Sequence, residues 1–320
     1  MGIQKRLSVV GVAKQTGKGA PAANPTYQVG VDSGYVMDTP TTEADLDLTW
    51  TTRVIEGHDR TEVKPASEWG TVATPSIIGF LLFCALGADA VTGAGAPFSH
   101  SFTPFDDLPW VTMFGRYGSN YTSIADCKLD ELELSWEKAG ALKAKCKWLG
   151  ITPSVLGAPF VATTTERIGT GYMDAAGGTF LIDAGAAVVT GGSVKFANHL
   201  DQVMASGAVV PNDVFPGKLD VDTSLKVVPD DVLAWRKYLT GAVGGAAPQT
   251  VPYYGALSLK WVMDANTDLT ASGPRVKFLT RFPESSAAGG PAEITVEGKF
   301  AQPAAGAAVT ALLRNAVAAY

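Results

Sequence analysis

The sequence predicts a mainly β protein: a β-sandwich or barrel with one buried flanking helix and a short second helix. Three observations carry that prediction. Residues 127–150 alternate apolar and charged side chains with a period of two on both sides of Lys138-Ala139-Gly140. Turn formers are abundant, with 35 Gly and 19 Pro in 320 residues, while charged residues make up only 18%. Only two segments carry helix start and stop signals.

The 127–150 stretch reads as a two-stranded ribbon. Leu132, Leu134 and Trp136 alternate with Glu131, Glu133, Ser135 and Glu137. After the turn, Leu142, Ala144, Cys146 and Trp148 alternate with Lys143, Lys145 and Lys147. A three-residue loop with Gly140 in the left-handed conformation sets Trp136 opposite Leu142, Glu133 opposite Lys145 and Glu131 opposite Lys147. Each opposite-charge pair contributes roughly 0.2–1 kcal/mol, so charge and hydrophobicity specify the same register. Nothing in the ribbon is catalytic. Its single dry face points to assembly, with Glu131, Glu133, Trp136, Lys145, Lys147 and Trp148 as the candidate assembly residues.

The other elements follow in order. A short strand at 7–12 leads into a Gly/Ala/Pro arm, and 17–24 buries too little apolar surface to fold alone, so it is expected to be mobile. Residues 44–56 alternate Leu46, Leu48, Trp50 and Val54 with Asp45, Asp47, Thr49, Thr51 and Arg53, a strand with one wet face. The clearest helix has Thr74 as N-cap, Pro75 at its first position and Gly87 at its end. Its residues are apolar nearly all round, so it is buried, and Gly79 within it implies close backbone packing.

Phe98, His100 and Phe102 alternate with serine and threonine as a strand, and 108–117 continues the sheet. Cys127 and Leu129 are out of phase with Leu132, Leu134 and Trp136, which predicts a β-bulge or strand boundary at Asp130-Glu131. Further strands fall at 178–182, 186–196, 218–228, 256–263, 275–282, 293–301 and 307–314. Pro229-Asp230-Asp231 opens the second helix, with Val232, Trp235 and Leu239 as its apolar residues and Gly241 at its end. The tracts at 241–249 and 285–292 read as exposed loops. No internal repeat or long linker divides the chain, so 1–320 reads as one domain: a strand and arm at 1–30, a more variable, outward-facing insertion at 155–290, and a C-terminal strand and tail at 301–320.

The net charge is −6 and the sequence pI about 5.1. A groove that grips nucleic acid by neutralising phosphates needs the opposite balance, although an acidic wall can surround DNA without holding it. Cys84, Cys127 and Cys146 have no metal-ligand spacing and read as buried free thiols rather than disulfides. The N-terminus has basic residues and a short apolar run but no A-x-A cleavage site, so it does not read as a signal peptide. The apolar run at 77–86 is far short of the ~20 residues a bilayer span requires.

Catalytic and binding motifs fail on spacing. GVAKQTGKG from Gly11 has five residues before Gly17, and Gly19 stands where a phosphate loop needs Ser or Thr. His58 (in a polar turn), His100 (within its strand) and His199 are far apart, with no metal-ligand pattern. No G-x-S-x-G elbow is present, and Asp220 and Asp222, alternating with Leu219 and Val221, read as a solvated strand face before they read as an acid/base pair. No catalytic, cofactor-binding or metal residue is assigned, no cofactor is expected, and the chain does not read as an enzyme.

The order of features resembles a known family. A TPSIIGFLLFCALG helix precedes FSHSFTP, then LPWVTMFGRYG, then DCKLDELELSWE and the ribbon ending WLG, and the chain closes on ALLRNAVAAY. This resembles the tail tube (major tail) proteins of long-tailed bacteriophages, the tube-protein family of siphophages and prophages, most closely at 69–150 and 293–320. The resemblance implies a virion structural protein, made in the host cytoplasm, whose copies form rings, usually as a homohexamer with a trimeric ring as the alternative, stacked into a tube. It implies other tail proteins as partners (tape measure, terminator, distal tail) and double-stranded DNA that passes without specific binding; no membrane is involved. Six subunits lending four strands each would give about 24 strands at ~4.8 Å, a backbone diameter of roughly 37 Å, wide enough for a duplex. Asp45 and Asp47, and Asp220 and Asp222, are the candidate lumen acids, with the tube exterior as the alternative place for each pair. Two other classes fit the sequence: a β-rich surface decoration or adhesin protein, and a hydrolase with a dispersed site.

Overall fold

The computed structural model describes residues 9–46, 57–183, 185–228, 232–242, 245–247, 249–280 and 293–320. One long strand organises them. β10 (Asn120–Glu137) belongs to two sheets. Its first half lies between β9 (Val111–Tyr117) and β12 (Thr152–Leu156), its second half between β11 (Lys143–Leu149) and β16 (Val188–Ala197). Asp126, at φ +54°, marks the change of sheet. The ladder to β11 then slips between Leu129 and Glu131, the bulge that the change of apolar phase predicts. The extra residue lets Cys127 and Leu129, and then Leu132, Leu134 and Trp136, all face the interior, where each is buried.

The first sheet runs β13 (Thr164–Thr165), β2 (Tyr27–Gly30), β1 (Val9–Lys14), β9, β10, β12; only the short β13–β2 pairing is parallel. The second runs β3 (Ser33–Asp38), β6 (Ala66–Val72), β11, β10, β16, β19 (Asp220–Val228), β22 (Ile294–Phe300), β21 (Thr267–Thr280). At β21 it branches. One arm continues to β20 (Tyr254–Asp264), β14 (Asp174–Ile182) and β15 (Gly185–Ala186); the other to β23 (Thr310–Asn315), β8 (Phe98–Pro104) and β7 (Gly87–Thr92). β14 returns to the β10–β11 turn through one isolated pair, Ala141–Asp174. A single bridge is not a ladder, so the sheets wrap their core as a sandwich without closing into a barrel. Two further hairpins stand apart: β4 (Thr41–Leu46) with β5 (Gly57–Val63), and β17 (Asp201–Val203) with β18 (Asp213–Phe215).

The helix α1 (Pro75–Leu86) is buried from Ile77 to Leu86, as an all-round apolar segment must be, and packs on strands of both sheets. Gly87, at φ +90°, ends it. The close packing at Gly79 is with the chain's C-terminal residue: a Cβ there would occupy the Tyr320 ring. Thr74 stands at the N-cap position, but its side chain makes no capping hydrogen bond, and its Oγ1 is buried without a partner. Thr74→Ala is therefore expected to change stability by only about 0.5 kcal/mol in either direction, below the ~1 kcal/mol of a working cap, as urea denaturation would measure.

Four expectations are corrected. Residues 155–290 supply β14, β16, β19, β20 and β21 to the main sheet, and Phe196, Leu225, Trp261 and Phe278 lie in the same apolar cluster as Trp69 and Trp148, so the segment is not an insertion on the fold. The 17–24 segment is a loop between paired strands rather than a free arm: Asp126 and Thr112 accept hydrogen bonds from the Gly19 and Ala22 amides, and Lys18 pairs with Asp213 at 2.7 Å. His58 lies in β5 rather than in a turn. In the second helix, α2 (Val232–Thr240), Leu239 is exposed, while Tyr238 turns inward onto Phe278 and Tyr253. The predicted strand at 44–56 falls largely outside the described residues, as do Leu7, Asp47 and the 285–292 tract.

Candidate functional site

The ribbon's predicted register is present, but the ribbon is not two-stranded. Glu131 faces Lys147 and Glu133 faces Lys145. β6 then pairs along the outer side of β11 and β16 along the outer side of β10, so the hairpin is the middle of a sheet. Its turn also differs from the expected one. Lys138, not Gly140, takes the left-handed conformation, at φ +52°. Gly140 is needed for space, since a Cβ there would sit 2.8 Å from the Glu137 carbonyl oxygen. The ladder ends at Ser135–Lys143, and Leu142 bonds through its amide to Met173 instead of facing Trp136.

The dry face expected to meet a neighbour is covered within the subunit. Trp148 is 0% exposed and Trp136 3%. Trp136 stacks on Phe180 at 5.4 Å and meets Trp261 edge-on at 5.0 Å. What the sheet presents outward is its charged face.

That face is built in rows across the strands. One row runs Lys145, Glu133, Lys195, Asp222, Lys299, Lys277 over β11, β10, β16, β19, β22 and β21. The next runs Glu68, Lys147, Glu131, Ala197, Asp220 from β6 to β19. Together they hold five lysines (145, 147, 195, 277, 299) and five carboxylates (68, 131, 133, 220, 222). On the first row's other side Ser135, Ser193 and Ser224 align across three strands. At ~4.8 Å per strand, the six-strand row is roughly 24 Å wide.

The ion pairs run sideways between strands more than across the hairpin. Lys145 reaches Glu68 at 2.7 Å, Lys195 reaches Glu131 at 2.8 Å, and the bulged Asp130 takes Lys147 at 2.8 Å. One member of each pair is held toward its charged form. The Glu68 hydrogen bond holds Lys145 above the ordinary lysine range, and Asp130 does the same for Lys147. Burial pushes Glu131 up, but Lys195, with Lys147 and His199 nearby, outweighs it and holds the carboxyl below its usual range. Asp220 is held low chiefly by the Lys218 hydrogen bond, with Lys299 and His199 contributing.

Asp220 and Asp222 therefore do not form an acidic strip. They are part of a balanced lattice, with Asp222 between Lys195 and Lys299 in the ladder. Asp45 lies in β4 opposite His58, away from this face, and Asp47 is outside the described residues. Lys195, Lys299 and Glu68 went unassigned from sequence, although the alternation of Ser193 and Lys195 with Val194 and Phe196 was a signal for the first.

His100 is fully buried, with Asp89 at 3.0 Å from Nδ1 and the Val317 carbonyl at 2.8 Å from Nε2. The three cysteines are buried free thiols, each pushed up by burial. Among the described residues no group of three or more His, Cys, Asp or Glu is placed to hold a metal. Residues 11–14 lie in β1 with no helix after them, so the glycine-rich stretch has no phosphate-loop geometry.

The chain is thus a β sandwich with a buried aromatic interior and a broad, charge-compensated sheet face. The family model for phage tail tube proteins matches residues 6–308, nearly the whole chain, and the chain belongs to that family. No curated protein matches it. It is thus a structural protein of the virion tail, and none of its described helices is long and apolar enough to cross a membrane.

Proposed function

We propose that copies of this chain close into rings, six to a ring, and that stacked rings form the tube through which phage DNA reaches the host. On this reading other tail proteins cap the tube and fill it before DNA passes. The observation that supports the conduit most directly is the charged sheet face. It is wide, nearly free of net charge and rich in short hydroxyl side chains. A duplex moving along such a wall meets lysines of which four (145, 147, 195 and 299) are already engaged by carboxylates, so few counterions are released and little binding results. The wall would work through local compensation, because alternating charges cancel beyond roughly the 8 Å Debye length.

Negative-stain microscopy of the purified chain tests the tube, with stacked rings or fibres expected; a chain that stays monomeric at high concentration would sink the reading. Charge reversal tests the wall. Asp222→Lys tubes are expected to retain linear duplex DNA at about 50 mM salt and to release it by about 200 mM, whereas unaltered tubes retain none. Closed circular DNA, which cannot thread a tube, should not be retained by either. Equal retention of circular DNA would place the face on the exterior.

A further inference from the structure

We infer that the outer edge of β7 is a strand-addition site that receives an extended segment of a second copy of this chain, an inference that rests on the ring reading above. β7 pairs with β8 in an unbroken register from Gly87–Pro104 to Thr92–Ser99. Apart from the Gly87 amide, which donates to the Phe83 carbonyl at the end of α1, no backbone hydrogen bond among the described residues reaches it from the other side. Such an edge is a template for another strand, and proteins that must stay apart blunt it with lysine, proline or a bulge. β7 has none of these in Gly87-Ala88-Asp89-Ala90-Val91-Thr92. Its one charge is turned away: the Asp89 carboxylate is 7% exposed and held on the buried His100 ring.

The other edges are blunted or shorter. β12 contains Pro153, β4 and β5 carry Glu43, Arg60 and Glu62, β13 and β15 are two residues long, β17 and β18 are three, and the β3 ladder is broken before Asp38. Apolar groups flank β7. Val91 pairs with the inward-facing His100, so it points to the core side, yet it is 38% exposed: the core layer is left open there. Phe105, packed against Gly87 at the strand's start, is 62% exposed. A five-residue edge whose one carboxylate is turned inward, flanked by exposed apolar side chains, is a liability in a solitary protein and an interface in one built from copies. The incoming segment must be extended, free of charge along its paired stretch, and apolar where it meets Val91 and Phe105.

Hydrogen exchange on unaltered protein tests this without a variant. The amides of 88–92 facing away from β8 are expected to exchange at least tenfold more slowly in polymer than in free subunits. Ala90→Lys, at an exposed position, should leave the subunit folded by circular dichroism and raise the concentration needed for polymerisation at least tenfold. Unchanged exchange at 88–92 in polymer, or normal polymerisation of Ala90→Lys, overturns the β7 site while leaving the tube reading intact. Failure of the unaltered chain to polymerise overturns both.

Discussion

Trp148→Ala is expected to lower subunit stability by about 3–5 kcal/mol, enough to remove much of a small fold's margin. Trp148 is fully buried between its ladder partners Leu129 on β10 and Ser67 on β6, and its truncation leaves an indole-sized void in close-packed surroundings. Assembly should fall only as far as folded subunit falls. A variant that folds normally but does not polymerise would restore the idea that this face meets a neighbour. Trp148→Phe should be far milder, on the order of 1 kcal/mol, because the indole nitrogen has no hydrogen-bond partner to lose and the ring volume is largely kept.

The second large effect reverses sign with its background. Gly79→Ala is expected to destabilise by about 1–3 kcal/mol although alanine is the better helix former, because the added methyl displaces the Tyr320 ring. That ring is built into the core. Its hydroxyl lies 2.6 Å from Asn315 Nδ2 and 3.3 Å from the Pro75 carbonyl, and it contacts Tyr27, His100 and Phe102. Burial pushes the phenol well above its ordinary range. In a Tyr320→Ala background the clash is gone, so Gly79→Ala should stabilise by roughly 1 kcal/mol through helix propensity alone. A double-mutant cycle by urea denaturation measures both values; additive effects would mean that the ring and the helix do not meet.

What the sequence made legible was what local chemistry controls. Side-chain alternation and opposed charges placed Glu131 against Lys147 and Glu133 against Lys145, and the phase change at Asp130 announced the bulge. Pro75 and Gly87 bounded α1. What it hid was non-local. A strand's alternation shows that it has two faces and says nothing of who lies beside it, so β6 and β16 on the ribbon's flanks were invisible. Ser67, Glu68 and Gly70 gave β6 little of a strand's appearance, although Trp69 sits at the centre of the core. The dry face was correctly read as dry and wrongly turned toward a neighbour for the same reason. The Gly140 turn failed differently: a glycine can be demanded by a tight approach as well as by a positive φ, and sequence does not distinguish the two.

The passage of β10 through both sheets bears on how a tube built from this subunit would bend. Sliding one sheet over the other would shear the ladders on both sides of a single covalent strand, from Tyr117–Asn120 at one end to Glu137–Gly191 at the other. Those hydrogen bonds would be strained together rather than one after another, which makes the subunit stiff against that deformation. In the tube proposed above, curvature would then be taken up at the joints between subunits, as in a chain of rigid links, and the persistence length would reflect the joints rather than the fold.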